Sequence, residues 1–141
     1  MKDIRRWFLA LVIIGPIHMG EQMIMGLDEL AELQGLFAKF YAWFGSADYA
    51  TVTLVTISFT VVNLLGYGLI SGGRAQTAAI GFFALLGVGE IHHIIRVLVN
   101  GTYYPGAVTS IPYFIFGVLL TRALLSANRR VSGAALADAA A

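Results

Sequence analysis

Four stretches of this sequence are apolar over the length that a helix needs to cross a lipid bilayer, which is about 20 residues. Because the bilayer interior gives an open backbone no hydrogen-bond partner, such stretches fold as helices that pack against one another. The chain is 58% hydrophobic and 12% charged, which is too apolar for a soluble domain. We therefore predict an all-α protein, a four-span transmembrane helical bundle. Its spans cover about residues 7–25, 49–70, 77–99 and 107–125.

Two further segments lie outside the predicted spans. Residues 28–44 combine acidic side chains with a run of aromatic ones, which is typical of an amphipathic helix at the membrane interface. Residues 127–141 are polar and rich in alanine, and we expect a flexible cytoplasmic tail there. Residues 1–126 would then form a single transmembrane domain.

Basic residues at the ends of the spans indicate an orientation. They fall on one side of the four-span arrangement, whereas the other side carries mostly acidic residues. Since basic flanks stay in the cytoplasm, both termini are predicted to be cytoplasmic. We expect a multi-pass protein of a bacterial inner membrane. The basic residues that carry this prediction are Lys2, Arg5, Arg6, Arg74, Arg122, Arg129 and Arg130.

Charge and cysteine content restrict the partners. Nine basic against eight acidic residues give a net charge of +1, and no basic face is concentrated enough for nucleic acid. The absence of cysteine excludes disulfides and thiolate metal ligands. The expected partners are the lipid bilayer and a lipid-like small molecule, with a homo-oligomer left open.

Ionisable residues are concentrated in the first and third spans. His18 and Glu21 are three residues apart, as are Glu90 and His93, so each pair shares one helix face. One ionisable group at mid-membrane costs about 2.5–3.5 kcal/mol, so such groups pair, bind a ligand or take part in chemistry. Both glutamates lie equally far from an arginine at the predicted cytoplasmic end, which places them at one depth. His92 points away from Glu90 on the helical wheel.

The second span carries a polar stripe within one arc of the helical wheel. It consists of Thr53, Thr56, Thr60, Asn63 and Tyr67. We expect it to line a pocket between the helices together with polar residues of the other spans. The predicted substrate-pocket residues are Gln22, Thr56, Asn63, Arg96, Thr109 and Tyr113.

Two short motifs stand out, one in the first span and one before the last: His18-x-x-Glu21-Gln22 and Tyr104-Pro105-Gly106-x-x-Thr109. Together they resemble the HXXEE-domain integral membrane proteins, over about residues 17–113. The sequence departs from that family where its motif has a second glutamate, because an amide at Gln22 does not readily transfer a proton. The resemblance implies kinship more than a defined activity.

Three functions remain open from the residues. The first is a metal site, since Glu and His ligands on two helices resemble the ligation of di-iron bundles and would suit Zn, Fe or Mn. The second is metal-free acid–base chemistry of the isomerase or cyclase type on a lipid-like molecule. Both use the same four residues as catalytic groups or metal ligands, namely His18, Glu21, Glu90 and His93.

The third function is a proton, metal or small-molecule transporter, or a structural accessory subunit. In that structural interpretation, Glu90, His93 and Arg96 form an ion-pair network that holds the bundle together. We predict an intramembrane enzyme that acts on an apolar, lipid-like substrate by acid–base or metal-assisted chemistry. On this prediction His93 matters for function far more than His92.

Overall fold

The computed structural model describes residues 2–139, without the side chains of Asp28 and of residues 130–139. Over this range the chain is helical and contains no strand, which confirms the all-α prediction. A 3₁₀ turn at Leu27–Glu29 follows the first helix. The α-helices are α1 (Lys2–Ile24), α2 (Ala31–Phe44), α3 (Ala47–Ser71), α4 (Gly73–Gly89), α5 (Ile91–Asn100) and α6 (Ala107–Ala139).

Four segments of the described chain are long and apolar enough to cross a membrane, which agrees with the predicted number of spans. The third of these segments consists of α4 and α5 together. With 14 residues, α2 measures about 21 Å, which is too short for a hydrocarbon core of about 30 Å. None of its residues is buried, as expected for a helix beside the bundle. The segments are Lys2–Ile24, Ala47–Ser71, Gly73–Asn100 and Ala107–Arg129.

Local turn chemistry explains where α2 ends and α3 begins. Gly45 has a φ of 64°, in the left-handed region that stops a helix at low cost. The Ser46 hydroxyl then accepts a hydrogen bond from the Asp48 backbone N–H at 3.2 Å, and so caps the first turn of α3.

The C-terminal helix α6 lies at the centre of the bundle. It packs against α1, α4 and α5, whereas α3 packs against α4 and α2 and so lies at the periphery. The backbones of α4 and α6 touch, because a Cβ built on Gly117 would lie 2.6 Å from the Gly87 carbonyl carbon. Small residues permit such close approach of membrane helices. This contact holds the third span against α6 one turn before Glu90.

The third span is interrupted at Glu90, although the sequence predicted one continuous helix over residues 77–99. The Glu90 N–H donates to the Gly87 carbonyl at 3.3 Å, and the His93 N–H donates to the Glu90 carbonyl at 3.1 Å. These bonds span three residues, as in a 3₁₀ helix, and such turns within helices often mark functional positions.

The last helix extends beyond the predicted fourth span. It continues to Ala139, so most of the predicted tail is helical. The flexibility of that tail stays a prediction, and residues 140–141 lie outside the described residues.

Candidate functional site

Four polar side chains converge between α1, α5 and the turn at Glu90, and we call them the His/Glu cluster: His18, Gln22, Glu90 and His93. Oε2 of Glu90 lies 3.0 Å from Nε2 of His18 and 3.1 Å from Nε2 of His93. The Gln22 amide nitrogen lies 2.8 and 3.0 Å from the same two imidazole nitrogens. Each histidine is only 1% exposed. Three side chains predicted as catalytic thus meet, together with one predicted for the pocket.

Glu21 lies beside the cluster and faces a different element. Its carboxylate accepts hydrogen bonds from the Tyr103 hydroxyl, the Thr109 hydroxyl and the backbone N–H groups of Val108 and Thr109. All these donors belong to the loop before α6 or to its first turn. Glu21 therefore fastens the loop and the start of α6 to α1.

The structure does not place the Glu21 carboxylate in the cluster with Glu90, and a catalytic or metal-binding role of Glu21 stays a prediction. Both Glu21 and Gln22 flank His18 on the helix, but they project about 100° apart, so only one of them can point to α5. That residue is Gln22, whose amide contacts both imidazoles.

The hydrogen bonds of Thr109 determine which nitrogen of His18 carries the proton. Its hydroxyl donates to the Glu21 carboxylate, which has no hydrogen to give. Nδ1 of His18 lies 2.8 Å from the same hydroxyl oxygen, so this nitrogen is the donor. Nε2 of His18 is then unprotonated in the neutral ring and directs its lone pair into the cluster. Such outer partners commonly orient histidine metal ligands.

The loop between α5 and α6 covers the cluster. Gly106 has a φ of 88°, and a Cβ there would lie 2.7 Å from Cε1 of His18 and 2.8 Å from Cγ of Gln22. The ring of Tyr104 contacts His93 edge to face, with centroids 5.2 Å apart. On the α6 side, the Tyr113 ring meets His18 at 5.4 Å in the same manner.

Sequence reasoning placed Thr109 and Tyr113 at the pocket but missed Tyr103 as a partner of Glu21. Partial burial, reinforced by the carboxylate of Glu21 that accepts its hydrogen bond, raises the pKa of the Tyr103 phenol. The available signal was the motif that begins at Tyr104, because its glycine and proline indicated a tight turn at the depth of Glu21.

The polar stripe of α3 lies away from the cluster, so the structure does not bring Thr56 and Asn63 together with the other predicted pocket residues. Both side chains are exposed. The Asn63 amide donates to the Phe59 carbonyl of its own helix at 2.7 Å. A helical wheel shows that these residues share a face, but it does not show which neighbour the face meets, and α3 turns other residues toward α4.

Arg96 is also outside the cluster, in contrast to the predicted pocket and ion-pair network. Its guanidinium donates to the Glu32 carboxylate at 2.7 Å, and the two side chains are 46% and 49% exposed. This pair connects α5 to α2. His92 is exposed, and its Nδ1 lies 2.9 Å from the Gly89 carbonyl oxygen.

Two buried atoms of the cluster have no hydrogen-bond partner among the residues that the structure describes. They are Oε2 of Glu90 and Nδ1 of His93. The carboxylate oxygen is close to two imidazole nitrogens, yet neither approach has hydrogen-bond geometry. One ligand atom from each of His18, Glu90 and His93 lies within 4.8 Å of the others, which would suit a metal ion. With both Nε2 atoms unprotonated, a positive ion at this position would be bound by two imidazole lone pairs and one carboxylate oxygen.

Fold and cluster together define a multi-pass membrane protein with buried histidines around one carboxylate. A scan against protein-family models and searches of curated proteins and solved structures found no match to this chain. The resemblance to the HXXEE-domain proteins therefore stays a prediction.

Proposed function

We propose that this protein is a metal-dependent membrane enzyme that acts on an apolar, lipid-like substrate. The observation that carries the proposal is the convergence of His18, Glu90 and His93 at short distances without hydrogen-bond geometry. A buried carboxylate oxygen that lies against two buried imidazole nitrogens without a hydrogen bond is costly unless a cation or a proton on an imidazole neutralises it. The proton assigned to Nδ1 of His18 supports the same proposal, because the neutral ring then presents a lone pair at Nε2.

The ligand chemistry favours zinc, followed by iron or manganese. Two imidazoles and one carboxylate, without sulfur, are a set found at catalytic zinc sites, where one position stays open for water or substrate. A bound metal would polarise a substrate oxygen or lower the pKa of a water molecule. Gln22 would direct its amide toward that open position, where it can orient a substrate oxygen but does not exchange protons. Tyr104 and Gly106 would exclude water from the outer side.

The surroundings of the cluster support a lipid-like substrate. His18, Glu90 and His93 all belong to segments that are long and apolar enough to cross a membrane, so a lipid bilayer would surround the helices that carry them. Because both histidines are only 1% exposed, a molecule that partitions into the bilayer would reach the cluster through an opening between helices.

We further propose that both termini face the cytoplasm of a bacterial inner-membrane protein. The start of α1 lies beside the C-terminal half of α6, with Asp3 and Arg122 around one cavity. Arg5 lines a second cavity with Gln76 at the start of α4. These positions gather basic residues at one end of the bundle, and basic ends remain in the cytoplasm.

Metal-free acid–base catalysis is the second candidate, and the unpartnered Nδ1 of His93 favours it. A buried imidazole nitrogen without a protein partner is available to exchange a proton with a substrate. The transporter alternative has less support, because the polar stripe of α3 does not extend the cluster into a path across the membrane.

Metal analysis of the purified protein tests the proposal. We expect one equivalent of metal in the wild type and its loss in Glu90→Ala, since that change removes the only charged ligand. Glu32→Ala is the matched control, because it removes a half-exposed carboxylate that pairs with Arg96 and is not one of the three candidate ligands. Chelation should also abolish turnover of lipid substrates and zinc should restore it. A wild-type protein that turns over a lipid without metal would refute metal-dependent catalysis and favour acid–base catalysis, and a purified wild type without stoichiometric metal would refute the metal site.

A further inference from the structure

The polar stripe of α3 is presented outward from the bundle. The side chains of Thr56, Thr60, Asn63 and Tyr67 are exposed, and Tyr67 is 68% exposed. The segment that carries them is one of those that can cross a membrane. In the bilayer these hydroxyl and carboxamide groups would face hydrocarbon, where polar groups without partners cost several kcal/mol.

Hydrogen bonds within α3 relieve only part of this cost. The Thr60 hydroxyl donates to the Thr56 carbonyl at 2.8 Å, which satisfies its hydrogen. Asn63 uses one amide hydrogen on the Phe59 carbonyl at 2.7 Å. Its second amide hydrogen and its carbonyl oxygen have no hydrogen bond to the residues that the structure describes. Asn63 is therefore the position at which hydrogen bonds to a partner helix would stabilise α3 most.

The spacing of the stripe is that of a helix–helix interface. Starting from Thr53, the polar residues follow at alternating steps of three and four, which is the heptad pattern of left-handed helix pairs. Membrane helices that pair through such a face cross at about 20° and commonly hydrogen-bond through Thr and Asn side chains. The other exposed residues of α3 are mostly apolar, as expected for surfaces that meet lipid tails.

We propose that α3 forms the interface of a homodimer, with the stripe of one copy packed against the stripe of the other. Two copies inserted in the same direction bring their α3 helices together in parallel and at one depth. Each stripe residue then lies near its counterpart across a twofold axis. Hydroxyl and carboxamide groups both donate and accept, so the surface is complementary to itself. Asn63 pairs with its counterpart through two carboxamides.

Disulfide crosslinking tests this interface directly, since the chain has no cysteine and each introduced thiol is the only one. Single variants Thr60→Cys and Asn63→Cys place a thiol on the stripe. Val55→Cys and Val62→Cys are matched controls, because both valines are exposed, at 60% and 66%, on another side of α3. After oxidation in native membranes, we expect a product of twice the chain mass from the stripe variants and little from the controls.

A second measurement follows dimerisation without an introduced thiol. Asn63→Val removes the carboxamide from an exposed position, and we expect dimerisation in vesicles, followed by energy transfer between labelled copies, to weaken about threefold to twentyfold. Equal crosslinking of stripe and control variants, or stronger crosslinking of the controls, would overturn the proposal. A crosslinked product of any other mass would identify a different partner of α3 and overturn the homodimer, and energy transfer at the level of a monomeric control would overturn it as well.

Discussion

Gly106 is the backbone position whose substitution should affect the His/Glu cluster most specifically. Its φ of 88° favours glycine, and a Cβ would lie 2.7 Å from the His18 ring and 2.8 Å from Cγ of Gln22. Neither neighbour can move away easily. The His18 ring is held at both nitrogens, by Thr109 and by Gln22.

The size of the effect follows from two separate contributions. An alanine forced into the left-handed region costs about 1–3 kcal/mol. Overpacking against fixed side chains costs about 1–3 kcal/mol more. Gly101→Ala isolates the first contribution, because Gly101 has a φ of 65° and nothing within 4 Å of a Cβ. We therefore expect Gly106→Ala to destabilise the protein by about 1–3 kcal/mol more than Gly101→Ala does.

Denaturant unfolding in detergent micelles, followed by circular dichroism, measures this difference, and metal content provides a second measurement. Gly106→Ala should lose metal because the Cβ displaces the His18 ring, whereas Gly101→Ala should retain it. If the two variants lost the same stability and kept the same metal content, the loop would not press on the cluster, and the close contact at Gly106 would be refuted.

Three further predictions concern the surroundings of the cluster. His93→Ala should abolish metal binding and activity, whereas His92→Ala, at an exposed ring, should leave both close to the wild type; equal losses in the two assays would contradict the assignment. Arg96→Ala should lower the free energy of unfolding by at most about 1 kcal/mol, because its ion pair with Glu32 is half exposed, and a larger loss on denaturation would contradict a surface pair. The third prediction concerns pH. The raised pKa of Tyr103 means that its protonated, hydrogen-bonding form stabilises the fold, and that this contribution is lost as the pH rises above 10.0. Wild-type stability should therefore fall more steeply above that pH than the stability of Tyr103→Phe, and parallel curves would exclude the contact with Glu21.

The sequence was sufficient for the number and approximate limits of the membrane-crossing helices, because apolar length is a strong local signal. It was also sufficient to bring His18 to Glu90 and His93, since the depth of a residue in a span follows from its distance to the charged end. What depth cannot provide is the direction in which a side chain points between two neighbouring helices. That direction depends on packing, and this is why Gln22, rather than Glu21, meets the two histidines.

The same reason explains the reassignment of α3. Its polar stripe was recognised from the sequence, but a stripe on a single helix fits an internal pocket and an external interface equally well. Only the packing of α3 against α4 and α2 shows that the stripe faces outward. The interruption at Glu90 had no clear sequence signal either, because the neighbouring glycines are equally compatible with close helix packing.

Gln22 offers the sharpest test of the charge within the cluster. With neutral imidazoles, one carboxylate and a divalent ion, the site carries a net charge of +1. The Gln22 amide nitrogen lies within 3.0 Å of both imidazole nitrogens, so a glutamate at this position would place its carboxylate inside the site. The added negative charge of Gln22→Glu would make the metal-bound site neutral. Opposite unit charges about 4 Å apart attract by about 4 kcal/mol at an effective dielectric constant of 20, and desolvation of the new carboxylate offsets part of this.

We therefore expect Gln22→Glu to bind zinc at least about tenfold more tightly, as measured by competition with a chromophoric chelator. Without metal, the new carboxylate faces the same two lone pairs as Glu90, so the metal-free variant should unfold at lower denaturant concentration than the wild type. Gln34→Glu, on exposed α2, is the control that adds the same charge elsewhere. If affinity and metal-free stability both matched the wild type, the side chain of residue 22 would not face the bound ion. If zinc bound more weakly, an amide ligand rather than charge neutralisation would explain why glutamine occupies this position.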